Sequence, residues 1–198
     1  MKTRKGFTLV EMLVVIAITA LLSGLAIVYS HAGQDQIALS IEESKVAQLI
    51  LEAKELSIAT YSTNSKTCAY GVYFDLANSQ YSLFAYNSAI SSAQYPGRFV
   101  CPTLASTTAA VNTADVAEYA GGSWQVHTAP GVVLKNPSSP ASDTIKYVLF
   151  YPPDPFTLIS RNGTTFLYPA PSSYVYIGTV DNNLVRAITV NAEGQVSL

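Results

Sequence analysis

From Phe7 to Val28 the sequence reads FTLVEMLVVIAITALLSGLAIV, twenty-two residues with a single charge, Glu11, and no proline. No other stretch constrains the chain as strongly. At about 1.5 Å per residue, a helix of this length spans about 33 Å, enough to cross a hydrocarbon core. Apolar residues occupy all of its faces rather than one stripe, unlike the surface helix of a globular domain. Ahead of it, Lys2, Arg4 and Lys5 form a basic leader that holds the N-terminus on the cytoplasmic side and sends the rest outward.

A secretory signal peptide shares the basic start and the apolar run, and could end at the small residues around Ser30-His31-Ala32. Three features weigh against it. The apolar stretch is longer than the usual core of about 7–15 residues. Glu11 lies inside it, where an acid near the bilayer centre costs about 2.5–3.5 kcal/mol on insertion scales. Lys5-Gly6-Phe7 also makes a sharp polar-to-apolar junction that a simple signal does not need.

At that junction Gly6-Phe7-Thr8-Leu9-Val10-Glu11-Met12-Leu13-Val14-Val15-Ile16-Ala17-Ile18 resembles the signature of type IV prepilins and type II secretion pseudopilins. The resemblance implies that a prepilin peptidase cuts between Gly6 and Phe7. It implies N-methylation of the new terminus, Phe7, and makes Glu11, fifth in the mature chain, the assembly residue. The implied partners are the peptidase, other pilin or pseudopilin subunits, the inner-membrane assembly platform and the membrane itself. Physical chemistry agrees with these roles. A glycine before the cut leaves bare backbone for a protease. A lone carboxylate in hydrocarbon needs a cation, and a neighbour's freed N-terminal amine emerges at similar depth. A glutamate that merely snorkels to the interface is the alternative for a lone inserted subunit.

The expected fold is α+β and pilin-like: a long N-terminal helix packed on an antiparallel β-sheet head. Residues 1–6 are the leader, 7–29 the membrane helix, 30–61 its amphipathic continuation and 62–198 an exported β-rich head. In the continuation, Leu39, Val46, Leu49, Ile50, Ala53 and Leu56 share a face at helical spacing. Glu43, Lys45, Glu52, Lys54 and Glu55 lie off that face, as do Ile37, Ile41, Leu51 and Ile58, while Glu42 intrudes on it. Gly24 and Gly33 are the expected weak points of the helix. Beyond Tyr61, alternation predicts a hairpin of Cys68–Asp75 and Gln80–Asn87 about 76–79. Residues 88–122, poor in apolar content, read as a surface excursion with a short helix near Ala114–Tyr119. Strands are expected at Ser123–His127, Val132–Lys135, Ile145–Tyr151, Phe156–Ser160, Thr164–Tyr168, Tyr174–Val180, Leu184–Val190 and Gln195–Leu198. The ending Arg186–Val196 resembles the closing hairpin of the GspH/FimT branch of these families, and Leu49–Ser57 followed by Cys68–Phe74 resembles its helix-to-strand passage.

Two cysteines, Cys68 and Cys101, stand in a segment expected to be exported, where one disulfide is the default reading and two buried thiols the alternative. Closing a loop of about 34 residues contributes roughly 3–4 kcal/mol on a chain-entropy account. Without the leader, eight basic residues face thirteen acids, a side-chain charge of −5, which disfavours nucleic-acid binding. His31 and His127 are the only histidines, and no nucleophile, base and orienting group are grouped in sequence. Asp181-Asn182-Asn183 reads as a turn before a calcium loop, and Asn162-Gly163-Thr164 as a turn before a glycosylation site. No cofactor, metal site or enzymatic activity is expected. The expected role is a structural subunit, a minor pilin or pseudopilin of a type IV pilus-like or type II secretion filament, located in the inner membrane and then in a periplasmic or extracellular filament. The alternatives are a filament-tip binding module for adhesion or DNA uptake, and a membrane-anchored exported protein.

Overall fold

The computed structural model describes residues 8–60, 67–87, 108–110, 116–118, 125–136, 143–152, 156–167 and 171–198. Two compact units divide the chain, Met1–Ile37 and Ala38–Leu198, and helix α1 (Leu9–Thr60) contributes to each. In the first unit α1 carries the apolar run. Leu9, Leu13, Ile16 and Leu21 are all more than 60% exposed, so that surface is uncovered among the described residues. Its hydroxyls do not need water: Thr19 Oγ1 donates to Val15 O (2.9 Å) and Ser23 Oγ to Thr19 O (2.8 Å). Such back-bonds satisfy polar side chains inside a helix surrounded by lipid.

In the second unit α1 becomes one-sided. Leu39, Val46, Leu49, Ile50 and Ala53 are buried, whereas Ile41, Leu51 and Ile58 are exposed. The expected apolar face is therefore present, with one correction. Glu43, expected off the face, is buried beside Glu42, because Arg186 meets its carboxylate at 2.9 Å.

β1 (Thr67–Asp75) and β2 (Gln80–Asn87) form the expected hairpin. Asp75 closes it by accepting from the backbone N–H of Ala77 (3.0 Å) and from Asn78 Nδ2 (2.7 Å). The remaining strands are β3 (Thr108–Ala110), β4 (Val116–Glu118), β5 (Gln125–His127), β6 (Val132–Lys135), β7 (Tyr147–Tyr151), β8 (Phe156–Ser160), β9 (Thr165–Leu167), β10 (Ser173–Thr179), β11 (Val185–Val190) and β12 (Val196–Ser197). Among the described residues they make two antiparallel sheets, in keeping with the antiparallel β head expected. The larger has the order β3-β9-β8-β7-β1-β2-β4, with β5 also on β2, and the smaller β12-β11-β10-β6. The short helix expected near Ala114–Tyr119 is absent: residues 116–118 are strand β4, paired with Phe84–Tyr86. The rest of the 88–122 excursion, β3 aside, lies outside the described residues.

Strands β3 and β4 stand at opposite edges of the large sheet, six strand spacings apart, or about 29 Å if the sheet were flat. Only five residues separate them in the chain, and Ala110 to Val116 reaches at most about 22 Å. The sheet is therefore curled. Gly71, mid-way along the central strand β1, permits the close packing: an added Cβ would overlap the carbonyl oxygen of Val148 and sit 2.7 Å from Phe84 Cζ.

Both faces of the large sheet are buried. On one face Val72, Phe74 and Phe150 join Leu134, Ile177 and Ile188 of the small sheet in a core that includes Val46 and Ile50 of α1. On the other, Phe84, Leu149, Leu158 and Phe166 pack with Cys68, flanked by Tyr73 and Tyr147, whose rings lie 4.6 Å apart. Burial, then the charge of Tyr86, pushes the Tyr151 hydroxyl in this second cluster up to about 12. The chain ends against the first core. Lys54 Nζ donates to Glu193 O (3.0 Å), and Gly194, at φ 67°, leaves no room for a Cβ beside Thr157 Oγ1 and Phe150.

Candidate functional site

The chemistry of the apolar segment concentrates where it begins. Thr8 stands just outside the helix and its carbonyl accepts the first intrahelical bond, from Met12 N (3.3 Å). Its Oγ1 accepts from Glu11 N (3.3 Å), and Glu11 Oε2 in return accepts from Thr8 N (3.0 Å) and Thr8 Oγ1 (2.9 Å). This reciprocal arrangement is a capping box, with Thr8 as the N-cap and Glu11 at the third helical position. It satisfies backbone donors that have no partner within the helix. It also places a carboxylate at the positive end of the helix macrodipole. Glu11 is thus held at the start of α1, its Oε2 tied within one turn to Thr8.

Thr8 was not among the residues singled out in the sequence. The signal for it is Thr8-x-x-Glu11 immediately ahead of an apolar run, which is itself a capping-box pattern. The other sequence-predicted residues fare differently. Gly6 and Phe7 lie outside the described residues. Cys68 is buried on β1 at the edge of the second core, and Cys101 lies outside the described residues. The side chain of His31 is likewise outside them. His127 is exposed on β5, its Nε2 2.8 Å from Gln80 Nε2.

Elsewhere, side chains that could have served chemistry are absorbed by structure. At Asp181-Asn182-Asn183 the Asp181 carboxylate accepts from Asn183, and Lys135 Nζ donates to Asn182 Oδ1 (2.5 Å). An ammonium thus occupies an oxygen that a cation would need. Asn162 Oδ1 accepts from Thr164 N (2.9 Å) and Thr165 N (3.0 Å), making the turn before β9. Arg161 meets Asp143 at 2.8 Å and Arg186 meets Glu43 at 2.9 Å, so these two guanidinium groups are each paired with a carboxylate. Among the described residues no three His, Cys, Asp or Glu side chains converge to hold a metal.

A predominantly apolar span of eighteen residues, Leu9–Ala26, begins directly after Thr8, and none of it is buried among the described residues. A comparison with protein families matches this end of the molecule. Residues 1–27 are a prokaryotic N-terminal methylation motif. The motif is type IV prepilin-like, and implies processing by a prepilin peptidase and assembly with other pilins. Together with the apolar helix it fits anchoring in a membrane. No curated protein and no solved structure matches the chain. The methylation motif thus covers the capping box and the apolar span, while the head stands on its own geometry.

Proposed function

We propose that this chain is a structural subunit, a minor pilin or pseudopilin, of a type IV pilus-like or type II secretion filament. The observation that carries the reading is the Leu9–Ala26 helix. It is uncovered among the described residues and opens on a hydrogen-bonded carboxylate within a methylation motif. A surface of that kind is stable only in lipid or against other helices like itself.

In this reading the peptidase cuts between Gly6 and Phe7 on the cytoplasmic side, and Phe7 becomes the methylated N-terminus. While the subunit waits in the membrane, Thr8 keeps the Glu11 carboxylate hydrogen-bonded. During assembly the amine of a neighbouring subunit competes for it, and an ion pair in low dielectric outweighs two neutral donors only when depth and orientation are right. Glu11 therefore reads register: a subunit at the wrong depth keeps its carboxylate on Thr8. The helices then pack laterally and the head is displayed outward.

The GspH/FimT branch is supported by the short closing hairpin of β11 and β12 and by β1 being the element that follows α1 among the described residues. A Cys68–Cys101 disulfide belongs to the same proposal, since Cys68 lies in a segment placed outside the cytoplasm. Intact-mass analysis of the membrane-extracted protein tests the reading. Loss of residues 1–6 with one added methyl group at Phe7 supports it. A full-length chain, or one cut after the apolar helix, overturns it.

A further inference from the structure

Two buried carboxylates on α1 have no part in the proposed membrane chemistry. Glu42 is fully buried and Glu43 nearly so, although both belong to the helix that packs the core. Burying charge is costly, and a pair of apolar residues of the same volume is often as stable or more so. Their contacts show what the charges do instead. Glu42 Oε1 accepts from Tyr81 Oη (2.7 Å), on β2 of the large sheet. Its Oε2 accepts from Ala129 N (3.3 Å), between β5 and β6, and from Lys45 Nζ (3.3 Å), one turn along α1. Glu43 Oε2 pairs with Arg186 Nη1 (2.9 Å), on β11 of the small sheet. Successive helical residues project about 100° apart, so two adjacent acids address the two sheets separately.

We infer that Glu42 and Glu43 form a two-sided key that fixes the axial and rotational register of the head-borne part of α1 between the two sheets. A purely aliphatic face tolerates sliding, since Leu39, Val46, Leu49 and Ile50 would meet other aliphatic residues. A shift of one turn, about 5.4 Å, takes Glu42 from Tyr81 and Ala129, leaving it only Lys45 of its own helix, and takes Glu43 from Arg186. A rotation loses one sheet or the other. Lys54 on Glu193 O and Ser57 Oγ on Phe150 O (2.6 Å) hold the far end of the same helix but use neutral acceptors, so they tolerate slippage better. The key makes the segment of α1 from Ala38 onward move with the two sheets as one body. It holds whether or not the subunit enters a filament.

Amide exchange on the full-length protein in detergent micelles tests this in the isolated subunit. Replacing the Glu42 contact with apolar groups, Glu42→Leu with Tyr81→Phe, removes the buried charge without leaving a cavity. Strands β1 and β7 should keep their protection, while amides of residues 38–57 exchange about tenfold faster or split into two populations, since stability and register are then separated. A charge reversal provides the second arm. Glu43→Arg or Arg186→Glu alone should loosen the same helical segment, and the two together should restore it. The inference is overturned if α1 protection is unchanged in the apolar pair. It is also overturned if helix and strands lose protection equally, which marks a general stabiliser, or if the charge swap fails to restore the helix.

Discussion

Thr8→Ala removes the hydroxyl at the start of the membrane helix and leaves everything else in place. Two bonds vanish: the one Oγ1 accepts from Glu11 N (3.3 Å) and the one it donates to Glu11 Oε2 (2.9 Å). Loss of an N-cap costs about 0.5–2 kcal/mol. The bond from Thr8 N to Glu11 Oε2 (3.0 Å) remains. The loss therefore stays within that range, towards its upper end in lipid, where water cannot replace the hydroxyl. Thr8→Ser restores both bonds and should behave as the wild type. The assay is amide exchange over residues 9–14 in micelles, read beside subunit recovery in sheared filaments. Exchange at the helix start should rise by more than about tenfold in Thr8→Ala and return in Thr8→Ser, with the head unaffected. In filaments, a carboxylate no longer held in place should accept neighbours at the wrong depth and lower ordered incorporation. Unchanged exchange in Thr8→Ala, or a Ser variant as defective as Ala, would refute the capping-box reasoning.

Three further outcomes follow from other parts of the chain. Gly6→Ala should slow leader removal and bulky residues at Gly6 should block it, as seen by intact mass; normal processing of a bulky variant places the cut elsewhere. Non-reducing mass spectrometry of envelope-purified protein should find Cys68 linked to Cys101, and two free thiols would contradict this. Gly71→Ala should destabilise the head by about 1–3 kcal/mol or more, because its Cβ collides with Val148 O and the Phe84 ring. Gly24→Ala meets nothing within 4 Å and should leave thermal unfolding of the head unchanged.

How much of this was legible in the sequence depended on how local the cause was. The β1–β2 hairpin stands within a residue of its expected limits, because alternation and the Asp75–Ser79 turn lie side by side in the chain. Strands β6 and β8 also match, and β10 and β11 differ by one residue at an end or two. The division into two sheets was not legible. It depends on β1 pairing with β7 and β10 with β6, partners some forty to eighty residues apart whose matching leaves no local mark. Residues 116–118 form a strand because β2 offers an edge there, overriding a weak helical preference of Val-Ala-Glu. Glu43 was misplaced for the same reason: its partner Arg186 is 143 residues away. At the candidate site the balance reversed. Glu11 was evident as a lone charge in an apolar run. Its partner Thr8 is equally readable, through the Thr-x-x-Glu spacing immediately ahead of an apolar run.

Glu11→Val tests the central claim most directly. The substitution removes about 2.5–3.5 kcal/mol of insertion cost if the site lies near the bilayer centre, so membrane insertion should persist or improve. Leader cleavage should also survive, since the carboxylate takes no part in cutting the bond before Phe7. The measurement is paired: mature protein in the membrane fraction, and subunit in sheared filaments from the same cells. The account predicts abundant mature Glu11→Val protein in the membrane with little or none in filaments. Mature Glu11→Val protein entering filaments at the wild-type level would contradict it.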